Sequence, residues 1–560
     1  MHGLLTLWLA LLPGQATAPP PRPDLSLIVV VTVDQLRPDY FTRYGRQFTG
    51  AFRTLLDQGA FFNHGRQNHA ITETAPGHAT ILSGREPAST GILDNERGVG
   101  DPTAPLLGGN PQPGASPRRF MGSALYDWMR AADPEVRLLS VSRKDRSAIL
   151  LVGRARAPVF WWADGRFTTS RHYADTLPAW VRAFNARRTT EHLARTTWNL
   201  LLPPSAYAEP DNVGYENGGR DVSFPHRLPG AEELGEQLEN YPWMDSLTLA
   251  FALEGARALD LGRRSKPDLL LVALSATDAV GHHYGPDSRE IHDQVLRLHR
   301  WLGGFLDSLA TRVPRTPTLL VLTADHGVQS FPEANHGKGR VWWGDLVRGG
   351  QDFGSGLLSA DTAAMRSKGL RVDSVAQALA TVAAHRRGVT RVFTPATLAA
   401  APPGDIAAAL WRNTIPPGYG WFIAGVLEPG FVWSPPGERS AEHGSTAPED
   451  LAVPIAFVGS GIEHSIIHRP VRTVDIAPTL AELLGVRPEG RLHGEPPAEI
   501  VGGRKSVERG GASEPGLVVQ HHGESDELGQ HVGQWHAGAG QEKTRRHEMG
   551  CGHGGPEADD

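Results

Sequence analysis

The chain has 560 residues, 40% hydrophobic and 21% charged, enough to bury a large core in an ordinary globular protein. A formal net charge of −6 gives no electrostatic case for a nucleic-acid partner. One cysteine, Cys551, excludes an internal disulfide and a cysteine-built zinc site, and it argues against a thiol nucleophile. In chain order, residues 1–18 read as an export signal. Leu4 to Leu12 form an apolar core too short to span a bilayer, and small residues follow, although no Lys or Arg precedes them. Cleavage after Ala16 fits better than after Ala18, which Pro19 follows. The expectation is a bacterial periplasmic or secreted protein with no membrane span once the signal is removed. Leu25 to Val33 is a nearly unbroken β-branched run, the pattern of a strand buried on both faces. Phe48, Phe52, Leu55 and Leu56 mark a helix that stops at Gly59. Further buried strands are expected at Leu138 to Val141, Asp268 to Leu274, Thr318 to Thr323 and Val453 to Val458, and a helix through Ile291, Val295, Leu298, Leu302, Phe305 and Leu309. Strand and helix alternate, which predicts an α/β fold with a mostly parallel central sheet. Residues 150–240, rich in Trp, Arg, Asn and Pro, read as a cap inserted over the sheet edge, and 330–352 and 400–420 as long loops. From residue 502 to 560 the chain is rich in Gly, His and charge, and a disordered tail is expected.

The chemistry-bearing residues stand where strands end. Asp34 closes the first apolar run, Asp325-His326 closes Leu319 to Leu322, Asp278 and His282 follow the strand at 268–274, and His443 stands in Glu442-His443-Gly444-Ser445. Carboxylates and imidazoles at the carboxyl edge of a parallel sheet form a metal site, and that donor mixture suits zinc. Two such clusters suggest two metals and in-line attack on phosphorus. Alone, Asp34 reads as an N-cap and Asp278-x-x-x-His282 as a structural pair. Asp325-His326 is the stronger signal, because a charged pair ending an apolar run is costly to bury unless it has partners.

Thr72-Glu73-Thr74-Ala75-Pro76-Gly77-His78 reads as a helix start, with Pro76 first and the Thr74 hydroxyl aimed where free N–H groups favour anions. Beside metals, Thr74 becomes a candidate nucleophile. In Ser142-Arg143-Lys144-Asp145-Arg146, Lys144 and Arg146 would point the same way from an extended segment and converge on one phosphate. Asn95 can donate to a third oxygen, though a bare Asn is more often a turn residue.

Taken together these blocks resemble the alkaline phosphatase superfamily, and most closely its secreted bacterial branch with a threonine nucleophile. The matching segments run in order: Val33 to Arg37, Glu73 to His78, Gly91-Ile92 with Asn95, Lys144-Asp145-Arg146, Asp278 to Pro286, Thr323 to Gly327, and His443 to Ser445. The resemblance implies a three-layer sandwich with a cap, formed by residues 25–500. It also implies two zinc ions per chain, one held by Asp278, His282 and His443 and the other by Asp34, Asp325 and His326 with Thr74. Thr74 would form a phosphothreonine while Asn95, Lys144 and Arg146 grip the non-bridging oxygens of small phosphate monoesters. No ligands for a third metal such as magnesium stand out. A phosphodiesterase or nucleotide pyrophosphatase of the same superfamily is the near alternative, and two cations at the phosphate favour monoesters over it. A non-catalytic zinc- or phosphate-binding exported protein is the more distant alternative. The absence of a Cys-x-Pro-x-Arg motif argues against a sulfatase.

Overall fold

The computed structural model describes residues 25–502 apart from 109–113, 313–316, 336, 345, 347–350, 353–354 and 436. The expected export signal, the expected tail and Cys551 lie outside the described residues. Leu27–Val33 (β1) is buried at every position, as its aliphatic sequence requires of a strand covered on both faces. The remaining strands of the main sheet are Ala60–Phe62 (β2), Leu138–Ser142 (β3), Val159–Ala163 (β4) and Arg166–Thr168 (β5), followed by Asp268–Leu274 (β6), Thr318–Thr323 (β7), Ile455–Gly459 (β8) and Ser465–Ile467 (β9). They form one nine-stranded sheet in the order β9-β2-β8-β7-β1-β6-β3-β4-β5. The central strands β7, β1, β6, β3 and β4 are parallel. β8 runs antiparallel to β7 and to β2, and β5 antiparallel to β4.

Helices cover both faces. Ala51–Gln58 (α1), Trp243–Ala258 (α4), Ala276–Tyr284 (α5) and Arg289–Arg312 (α6) pack on one another, with α4 against β3 and β6 and α1 against β2 and β8. Thr74–Ile81 (α2) and Asp145–Leu150 (α3) form a second group, with α3 against β3 and β4. This is the α/β sandwich expected from the alternation of elements.

Two segments differ from their sequence reading. Residues 159–168, expected in the cap, are the outer strands β4 and β5 of the main sheet. The expected loop at 400–420 contains the helix Ile406–Thr414, capped by Asp405, whose Oδ1 accepts the Ala408 N–H at 3.0 Å. A separate four-stranded sheet, ordered 351–352, 357–359, 421–427, 389–393, lies beside that helix. Trp411 and Trp421 bury their rings in one cluster with Ala70, Ile71 and Leu93, which ties this substructure to the segments leading to Thr74 and Asn95.

Candidate active site

Because β1, β3, β6 and β7 are parallel, the residues that follow them emerge at one sheet edge: Asp34, Lys144, Asp278, and Asp325 with His326. His443 reaches the same edge by another route. β8 is antiparallel, so the loop ahead of it, not behind it, arrives there. Asp278 and His282 lie one turn apart on α5, with His282 Nε2 3.3 Å from Asp278 Oδ1.

Two sets of side chains each bring one donor atom per residue within 4.8 Å of one another: Asp34, Asp325 and His326, and Asp278, His326 and His443. His326 therefore stands between the two clusters. His282, which the sequence reading groups with Asp278 and His443, touches that set, its Nε2 lying 3.1 Å from His443 Nε2. All three rings direct Nδ1 at a backbone carbonyl: His282 at Ala441 O (2.7 Å), His443 at Thr72 O (2.8 Å) and His326 at Gly327 O (3.0 Å). A carbonyl only accepts, so each Nδ1 carries a proton and Nε2 is the nitrogen of each ring that faces the site.

The donor set fits a divalent metal on electrostatic grounds. His326 Nε2 faces Asp34 Oδ1 at 3.4 Å, two buried acceptors without a hydrogen-bond partner. Such pairs repel unless positive charge lies between them, and carboxylate with imidazole is a zinc-type set. The titration behaviour reflects the same crowding. Burial, then Asp278 and Asp325, raises Asp34 to about 6. Burial opposes charge on Asp278, yet Lys144 and His282 hold it well below the usual carboxylate range. Burial, then His326 and His282, pushes His443 well below the ordinary imidazole value.

Thr74 and Lys144 are buried at the centre of this set. The Lys144 ammonium contacts Asp34 Oδ2 at 2.5 Å, Asp278 Oδ2 at 2.6 Å and Thr74 Oγ1 at 3.2 Å. Thr74, not Pro76, opens α2. Pro76 falls at the third position, where a missing N–H costs nothing because the first turn's donors have no helical acceptors. Gly77 lets α2 approach the end of β7, since a Cβ there would overlap the Asp325 carbonyl. Asn95 Oδ1 accepts the Ala75 N–H at 2.9 Å, which turns its Nδ2 donors the other way, and its own N–H donates to Glu73 Oε2 at 2.8 Å. Arg146 leaves the chain from a different backbone setting than Lys144. The chain is extended at Lys144 but helical from Asp145, so the expected side-by-side projection is replaced by a turn into α3. The Arg146 charge acts on buried Glu73, which burial and Asp94 nonetheless raise to about 8.

Several residues to which the sequence reading gives no role hold this arrangement. Asp450 Oδ2 accepts from Ser445 Oγ (2.6 Å), Ser445 N (3.1 Å) and Gln329 Nε2 (3.3 Å), joining the His443 loop to the chain after His326. Asp245 Oδ1 accepts the Ala276 N–H at 3.0 Å and so caps α5. Gln35 donates from Nε2 to Asp278 Oδ1 at 2.8 Å and from its backbone N–H to Asp325 Oδ1 at 3.2 Å. His78, one turn along α2 from Thr74, lies with Nδ1 3.1 Å from Asp325 Oδ2.

A profile of the type I phosphodiesterase / nucleotide pyrophosphatase family matches residues 28–413. Alkaline phosphatase PhoK of Sphingomonas sp. is 32% identical, over 83% of this chain and 89% of that protein. Alkaline phosphatase PhoV of Synechococcus elongatus is 30% identical, over 83% of this chain and 91% of that protein. A solved structure of wild-type alkaline phosphatase PafA matches with a TM-score of 0.78 at 26% identity, covering 86% of this chain and 100% of that chain. The chain belongs to the type I phosphodiesterase / nucleotide pyrophosphatase family. Within it the chain is a hydrolase of the alkaline phosphatase branch.

Proposed function

We propose that the enzyme hydrolyses small phosphate monoesters through a phosphothreonine on Thr74, with two zinc ions at the clustered carboxylates and imidazoles. The observation that carries this reading is the Lys144 ammonium, which touches Thr74 Oγ1 and a carboxylate of each cluster at once. Asp278, His282 and His443 would hold one ion, and Asp34, Asp325 and His326 with Thr74 the other. When bound, the ions supply Lewis-acid charge for the attacking and leaving oxygens. Thr74 Oγ attacks phosphorus in line and the ester oxygen leaves with a proton from solvent. Water then attacks the phosphothreonine and releases inorganic phosphate, restoring the hydroxyl. Lys144 donates toward Oγ1 and favours its alkoxide, and the outward Nδ2 of Asn95 and the Arg146 fork hold non-bridging oxygens. The apolar start of the sequence supports an exported enzyme, and among the described residues no helix is long and apolar enough to cross a membrane.

The family also contains diesterases, and the same ions and threonine would serve them. Lys144 and Arg146 favour a dianionic monoester, which leaves its oxygens free for cations where a diester must place a second substituent. Turnover of p-nitrophenyl phosphate should exceed that of its bis ester by at least about 10²-fold. Faster diester turnover would overturn the assignment, and zinc bound tightly without any turnover would point to a binding protein.

A further inference from the structure

Gln35 has a backbone φ of +65°, a left-handed conformation at which a long L side chain costs roughly 1 kcal/mol and glycine costs nothing. Its backbone N–H contact to Asp325 would survive replacement by glycine, so the side chain must be accounted for separately. That side chain is buried, and its Oε1 has no hydrogen-bond partner. Its amide orientation follows from chemistry, because Asp278 Oδ1 is an acceptor and must face Nε2. The residue thus combines strain with an orphaned carbonyl in return for one hydrogen bond to a carboxylate. Such a combination marks a site where geometry is favoured over stability.

The contact has a counterpart on the neighbouring helix. Gly281 lies within α5, between Asp278 and His282, where alanine would be the better helix former. A Cβ at Gly281 would overlap Gln35 Oε1. With Oδ2 held by Lys144 and Oδ1 by Gln35, the Asp278 carboxylate is gripped at both oxygens. The same residue's N–H holds Asp325 Oδ1, in the other cluster.

We propose that Gln35 is a positioning residue that braces Asp278 against Asp325 across the two metal positions, and that Gly281 is the space its amide requires. This rests on the zinc reading above. A ligand carboxylate fixed in this way binds its ion more tightly, and loss of such an outer contact typically weakens binding about 10–100-fold.

The test compares zinc-loaded full-length wild type with Gln35→Gly, Gly281→Ala and the double variant. Two quantities are measured: zinc retained against increasing EDTA, and the melting temperature after zinc is stripped. Gln35→Gly relieves strain but removes a buried side chain and its hydrogen bond to Asp278, so the stripped variant should melt close to wild type while losing half its zinc at roughly 10-fold lower EDTA. Gly281→Ala evicts the amide and should lower zinc retention alike. The double variant should retain zinc no less well than either single one, because one brace is lost only once. If Gln35→Gly does not fold, Gln35→Asn, which tolerates the left-handed backbone but is one methylene too short, carries the same expectation. Wild-type zinc retention in these variants, additive losses in the double variant, or a zinc loss fully accounted for by a lower stripped melting temperature would each overturn the proposal. Wild type that takes up no zinc would overturn the metal reading and this brace with it.

Discussion

On the proposed reading Thr74 acts through its hydroxyl, and it holds little else in place, since its neighbours on α2 are fixed by backbone and by Asn95. Thr74→Ala should therefore abolish the phosphoenzyme and lower turnover by at least about 10³-fold while the zinc content stays near wild type. Elemental analysis and acid-quenched labelling with a radioactive phosphate ester read the two quantities separately, and undiminished turnover would exclude Thr74 as nucleophile. Asp34, Asp325 and His326 are legible in the sequence because each interrupts an apolar run that physics would otherwise leave uncharged. His443 is not legible that way, for nothing in its own segment says that the loop returns to the sheet edge; only the ordered set of matching blocks marks it. For Arg146 the expected backbone setting, not the proposed role, differs from the structure. Its predicted alignment with Lys144 assumed an extended chain, and the backbone turns helical one residue after Lys144. Asp245 and Asp450 carry no signal at all, and Gln35 only its place in the block Val33 to Arg37, since each is defined by partners hundreds or tens of positions away.

At the scale of elements, α5 is the most consequential helix, because it delivers both Asp278 and His282. Its first turn is anchored from outside: Asp245 on α4 accepts from Ala276, and Gln294 on α6 donates to the other Asp245 oxygen at 2.9 Å. Burial raises Asp245 to about 7 despite those donors. Asp245→Ala would leave the Ala276 N–H unpaired and the Gln294 amide with only its bond to Thr277 Oγ1, a loss of roughly 2–3 kcal/mol of stability. Chemical denaturation should show that loss, and zinc should leave at lower EDTA because α5 carries two ligands. An unchanged denaturation midpoint would show that water or another group replaces the cap. The long aliphatic strands β1, β6 and β7 were readable because burial on both faces leaves an unbroken apolar run. The small four-stranded sheet was not, since strands of two or three residues such as 351–352 and 357–359 have no room for a period. The reversed direction of β8 is a matter of topology, and no residue in 455–459 encodes it.

Across the whole molecule, stability also depends on pH through buried carboxyls outside the donor set. Burial, then the charges of Glu290 and Asp211, push Glu216 up to about 9. The unfolded chain would release this proton at an ordinary carboxyl pKa, before the folded one does. This group therefore costs nothing in acid, and its penalty grows as pH rises toward about 9 and then levels off. Glu216→Gln should match the wild-type melting temperature near pH 4 and exceed it by a widening margin up to pH 9. A constant offset across that range would contradict the assignment. The antiparallel return of β8 has a consequence for how the enzyme matures. One ligand follows the first strand, and another arrives on the loop ahead of the second-last strand of the sheet. An incomplete chain on the ribosome or at a translocation pore holds only part of the donor set. On the proposed metal reading, cation capture is then expected late, locking a finished tertiary structure and not nucleating it.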